Sequence, residues 1–193
     1  MLRPFLLAAC GFLLAACVTV SNTLSPEVVG SFKLTKVDVV YAPDAIIAWG
    51  DGQAAYAASR GVAHDPFAPE TPEAAAYQRE AIGAKIRTVM ESKLTPRLAG
   101  TRPVRVVVTM RNVNVASPLQ RVIVGGSHGI SGDVTLLDAK TGAVLSTYPK
   151  LFAASAGGAG IIQTVIEDVA FERPLDRLVD NYTTSYQRWL VPG

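Results

Sequence analysis

The chain has 193 residues, 49% hydrophobic and 18% charged, with a formal net charge of +2. That balance excludes a disordered polymer. The charge is too small and too evenly spread to argue for nucleic-acid binding or a polybasic membrane patch, and no internal repeat is present.

The first element is a leader. Arg3 supplies a positive start and the residues from Phe5 to Leu14 a short apolar run. Ala15-Ala16 supplies small residues before Cys17. The apolar stretch Phe5–Val20 is 16 residues long, short of the roughly 20 that a spanning helix needs.

Leu14-Ala15-Ala16-Cys17 resembles the lipobox of bacterial lipoproteins. The resemblance implies that residues 1–16 are a signal peptide and that Cys17 becomes the first mature residue. It also implies a diacylglyceryl thioether on Cys17, and sorting to the outer membrane because Val18, not Asp, follows. Several acyl chains, at about 0.8 kcal/mol per buried CH₂, make such an anchor effectively permanent. Cys10 would leave with the leader and Cys17 would be consumed by lipid, so the mature chain has no thiol for a disulfide or for a structural zinc set.

Residues 17–31 read as the lipidated tether, broken by Pro26 and Gly30, and residues 32–193 as one periplasmic domain. Fully extended, the 14 residues from Val18 to Ser31 would reach roughly 45–50 Å. Phe32–Tyr41 alternates as a strand, with a slip near Lys36 that suggests a bulge. Residues 42–72 are punctuated by Gly50, Gly52, Gly61, Pro66, Pro69 and Pro72. They read as a long irregular connection carrying one short helix over 53–60.

Thr71-Pro72-Glu73 is a helix start: an N-cap, a proline at the first turn, and an acid near the positive dipole end. The helix is expected to run to about Leu94, with Ile82, Ile86, Val89, Met90 and Leu94 as its apolar stripe. Residues 103–115 read as a strong strand, and Leu119–Val124 as its continuation or partner. The residues from Asp138 to Gly142, between two β-rich runs, read as a hairpin turn. A glycine-rich stretch, 156–160, then opens a helical segment. Pro174 starts a last helix with a stripe of Leu175, Leu178, Val179, Tyr182, Tyr186 and Trp189.

The expected fold is α+β: a two-layer domain with a mainly antiparallel sheet of four to five strands and two principal helices. The order, the strand entry at Arg102-Pro103-Val104 and the run Gly132-Asp133-Val134-Thr135-Leu136 to Gly142 resemble small Gram-negative envelope lipoproteins of uncharacterised families. More loosely they resemble the TolB amino-terminal and curli-secretion-like domains. No catalytic residue carries over from the resemblance.

Gly125-Gly126-Ser127-His128-Gly129 matches G-x-S-x-G, the turn that exposes a hydrolase serine. A strand-like run follows it where a helix is required, and no histidine lies after His128. Neighbours in an extended strand face opposite ways, so His128 is not placed to serve Ser127. His64-Asp65 reads as a solvated loop pair. Gly157-Gly158-Ala159-Gly160 lacks the spacing of a phosphate-binding loop. Glu167, Asp168, Glu172, Asp176 and Asp180 read as a solvent face interleaved with Arg173 and Arg177. The expectation is therefore no enzyme, no cofactor and no metal. What remains is an outer-membrane lipoprotein, attached through lipid on Cys17, that serves as an interaction module for an envelope protein. The alternative is a carrier or sensor of a small apolar ligand.

Overall fold

The computed structural model describes residues 20–124, 127–156 and 174–192. Among these lie five helices and one four-stranded sheet, in the order α1 (Pro26–Gly30), β1 (Phe32–Trp49), α2 (Gly52–Ser59), α3 (Pro72–Leu94), β2 (Arg102–Val115), α4 (Pro118–Val124), β3 (Ser127–Asp138), β4 (Val144–Ala156) and α5 (Pro174–Leu190). Along the sheet the order is β1-β2-β3-β4.

The sheet is mixed, which corrects the expectation of a mainly antiparallel one. β1 pairs with β2 in parallel, while β2–β3 and β3–β4 are antiparallel. The cause is α3. A helix between two adjacent strands carries the chain back to its starting end, so the next strand runs in the same direction. The 23 residues of α3 do this.

Local signals explain the helix and the hairpin. Thr71 Oγ1 accepts the N–H of Ala74 at 3.2 Å, capping α3 where the Thr-Pro-Glu start places it. Ile82, Ile86, Met90 and Leu94 are fully buried. At the β3–β4 turn, Asp138 Oδ1 accepts the N–H groups of Lys140 (3.1 Å) and Thr141 (3.0 Å), and Gly142 takes φ +74°. An L side chain rarely adopts that backbone conformation.

β1 is longer than its sequence suggests. Residues 42–49, expected as irregular, continue the strand through a register shift between Tyr41 and Ile46. The shift absorbs Pro43, which lacks an N–H and is tolerated because β1 is an edge strand. A second shift, between Leu34 and Lys36, is the slip read near Lys36. At the other edge, Val134 pairs with Tyr148 and Gly132 with Leu151. Pro149 and Lys150 thus oppose Asp133 alone, a bulge in which Lys150 has φ 51° and donates its N–H to Asp133 Oδ1 at 2.8 Å.

Leu119–Val124, expected to continue or pair with the preceding strand, instead belong to the helix α4. Ser117 Oγ accepts the N–H of Gln120 at 3.2 Å, and Gln120 Oε1 accepts the N–H of Ser117 at 2.9 Å. This reciprocal box satisfies two donors at a helix start and fixes helix over strand.

Alternate residues of β2 (Val104, Val106, Val108, Met110) and β3 (Ile130, Val134, Leu136) are fully buried. They meet α3 and Leu175, Leu178, Val179, Tyr182 and Tyr186 of α5 in one continuous core. Among the described residues, α3 packs on β1 and α5 on β3 and β4.

Candidate functional site

Cys17 lies outside the described residues, as do Gly125 and Gly126, Gly157–Gly160, and Glu167, Asp168, Glu172 and Arg173. Three residues beyond Cys17, however, the chain is held. Trp189 Nε1 donates to the Val20 carbonyl at 2.6 Å. Asn22 Nδ2 donates to the carbonyls of Trp189 (3.2 Å) and Leu190 (3.1 Å), and its Oδ1 accepts the N–H of Leu24. The last carbonyls of a helix have no partner within it, and here Asn22 supplies one. Leu24 packs against the core, and Val29 on α1 is buried in it. The stretch expected to be a tether is thus seated on the domain from Val20 onward. Trp189 itself is half-buried, with its ring 4.9 Å from Tyr148 and 5.8 Å from Tyr186.

Ser127 and His128 begin β3 and are placed apart. Ser127 is exposed, whereas His128 is buried and accepts the Ala116 N–H on Nδ1 at 3.0 Å. His64 sits in an exposed loop. Among the described residues no group of three or more His, Cys, Asp or Glu could hold a metal ion. Asp176 and Asp180 face α3: Asp176 pairs with Lys85, and Asp180 with Lys93 at 2.8 Å. Their partners lie on α3, where sequence placed Arg173 and Arg177 beside them.

A cleft of about 440 Å³ opens where α2, the end of β1 and the start of α5 meet. Trp49, Ala55 and Leu175 give it an apolar wall, and Asp51, Lys85 and Asp176 a polar rim. Below the rim Arg121, 1% exposed, donates to the Ala116 carbonyl at 3.3 Å and lies 3.6 Å from an Asp51 oxygen. This buried cation was missed in the sequence because α4 was read as a strand.

The sheet surface away from α3 and α5 carries the second feature. Register places Val40–Thr109–Asp133, Ile46–Asn112–Ser131–Phe152 and Leu137–Val144 on it. Val40 is 46% exposed, Ile46 65%, Val144 64% and Phe152 63%. The charges between them are paired on the surface itself, three cations with two acids. Arg111 holds Asp133 at 2.7 Å, and Asp38 takes Lys36 at 2.6 Å and Arg105 at 3.6 Å. The Arg111 guanidinium, hydrogen-bonded to Asp133, holds that carboxyl below its usual range.

No protein-family model matches the chain, and no curated protein is similar to it. Solved structures are similar at low identity. A candidate lipoprotein from Caulobacter crescentus is 14% identical, with 80% of this chain and 87% of that one covered and a TM-score of 0.37. The PelC dodecamer from Paraburkholderia phytofirmans is 11% identical over 91% and 96% of the two chains, with a TM-score of 0.42. The DUF330-family protein XCC0632 of Xanthomonas campestris is 12% identical over 89% of each chain, with a TM-score of 0.45. No described helix is long and apolar enough to cross a membrane.

Proposed function

We propose that this protein is a lipid-anchored, non-enzymatic interaction module of the outer membrane, and that the sheet surface that no described element covers is what an envelope protein binds. On this reading the domain has two layers, helices toward one side and the partner on the other. The observation that carries it is the exposure of Ile46, Val144 and Phe152 together with charges already paired on the same surface. These large apolar side chains stand apart among polar ones (Thr109, Asn112, Ser131, Asp133), as apolar anchors do within a protein interface of mixed polarity. Because its ion pairs are internal, the matching surface is neutral and not a polyanion.

Photo-crosslinking in intact envelopes tests this. A photoreactive residue at position 46 or 152 is expected to give the same discrete adduct. At the exposed Thr88 on α3 it gives none. The adduct from position 46 disappears with Phe152→Glu. No adduct at 46 and 152, or an equal one at 88, would overturn the reading.

The second reading, a carrier of a small apolar ligand, is supported by the 440 Å³ cleft, whose size is that of a small-molecule site. It predicts a co-purified apolar molecule that Ala55→Trp displaces. Protein extracted from envelopes with no such molecule would remove it.

A further inference from the structure

The way residues 20–24 are seated fixes which end of the domain lies beside the residue read as lipidated. Val20 is bonded to Trp189 and Asn22 to the last carbonyls of α5. From Cys17 to Val20 the chain reaches at most about 10 Å. The anchor therefore emerges at the C-terminal end of α5. α3 ends on the same side, because its Lys85 and Lys93 pair with Asp176 and Asp180 in the same chain order. The starts of β1 and β2 and the β3–β4 turn lie there too: Lys33 bridges Ala99, and Ala139 donates its N–H to the Pro103 carbonyl.

This end collects cations from distant parts of the chain. Lys33, Arg97, Lys140 and Arg188 are all exposed, and none makes an ion pair among the described residues. Of the nearby acids, Asp138 is occupied by Arg102 and by the turn N–H groups, and Glu91 accepts the N–H of Val37, which leaves Glu27. The opposite end is acidic, with Asp44, Asp65, Glu70 and Glu73 exposed against Arg60. Arg188, in the last turn of α5, and Arg97, in the turn that closes α3, also complement negative helix ends; Lys33 and Lys140 have no such local reason.

We propose that this basic end rests on anionic phospholipid headgroups, so that the lipid on Cys17 and the cations around it form one two-part membrane contact that points the acidic end away from the bilayer. A single site for lipid plus a cluster of cations is how peripheral proteins obtain both retention and orientation. The proposal rests on the lipidation of Cys17, and its test separates the two.

Labelled palmitate is expected in the parent and not in Cys17→Ala; no label in the parent overturns the anchor and the proposal with it. A Cys17→Ala chain made without residues 1–16, and so lacking both leader and lipid, is then sedimented with vesicles of phosphatidylethanolamine and phosphatidylglycerol at about 0.05 M salt, where surface charges are weakly screened. It is expected to bind these and not phosphatidylcholine vesicles. Lys33→Gln, Arg97→Gln and Lys140→Gln should each weaken binding about fivefold, and on the order of 100-fold together. Glu73→Gln at the opposite end should leave binding unchanged. Palmitate incorporation with vesicle binding that ignores the three substitutions would overturn the basic contact and leave the anchor standing.

Discussion

Removing an oxygen atom from the core should make this protein more stable at two positions and less stable at a third. Tyr182 and Tyr186 on α5 are fully buried, and neither hydroxyl has a hydrogen-bond partner among the described residues. Tyr41 is different: its hydroxyl donates to the Arg79 carbonyl at 2.6 Å. A buried polar group left unpaired costs roughly 1–3 kcal/mol, whereas a made hydrogen bond contributes about 1 kcal/mol net. Deleting one oxygen leaves only a small void, which offsets part of the gain. Tyr182→Phe and Tyr186→Phe should each therefore raise the unfolding free energy by about 1 kcal/mol, and Tyr41→Phe should lower it by about 1 kcal/mol. For a domain of this size, 1 kcal/mol moves Tm by about 2–4 °C. Urea unfolding followed by circular dichroism, compared at equal m-value, reads the three shifts. Lower midpoints for Tyr182→Phe and Tyr186→Phe would refute the reasoning, because they would mean that the hydroxyls are paired.

The same tyrosines set an alkaline limit. Burial pushes Tyr41 up to about 12 and raises Tyr182 and Tyr186 as well. The unfolded chain loses these protons first, near pH 10. Stability is therefore whole below pH 10 and falls above it. A Tyr182→Phe/Tyr186→Phe double variant should show a shallower fall.

Other substitutions test close approach, charge and reactivity. A Cβ at Gly132 would lie 2.7 Å from the Thr109 carbonyl oxygen and 3.2 Å from Met110 Cα, both backbone, so Gly132→Ala should cost about 2–3 kcal/mol in the same urea assay. The N–H of Thr141 and the Arg102 guanidinium hold the Asp138 carboxyl down to about 2; its contribution is present above pH 4 and is lost as pH falls toward 2, so Asp138→Asn should flatten the acid limb of a pH–stability curve. Ser127, exposed while His128 is buried on the other side, should take no fluorophosphonate label. Stoichiometric labelling there would restore hydrolase chemistry.

What could be read along the chain was whatever is decided within a few residues. The Thr71 cap, the Asp138–Gly142 turn, the alternation of β2 and the stripe of α5 all appear where their local signals place them. α4 was also legible, since Ser117-Pro118-Leu119-Gln120 carries a capping box, but the β-branched residues after it argued for strand. Tertiary partners decided the rest. The second half of β1 is held by its pairing with Asn112–Val115, across more than sixty residues of chain. Asn22 finds its acceptors 167 and 168 residues away. The basic end is assembled from positions 33, 97, 140 and 188, so a running charge count sees only an even sprinkling.

The two borders of the sheet bear on how this protein meets its own copies. The outer ladder of β1 is interrupted at Pro43 and that of β4 at Pro149-Lys150, each well inside the strand. An incoming strand would find a few paired groups, then a missing N–H and a bend, then a few more. Neither margin can template continuous strand addition, so growth of the sheet from molecule to molecule is blocked at both ends of the row. Crowded together, such molecules can stand shoulder to shoulder without zipping into fibrils.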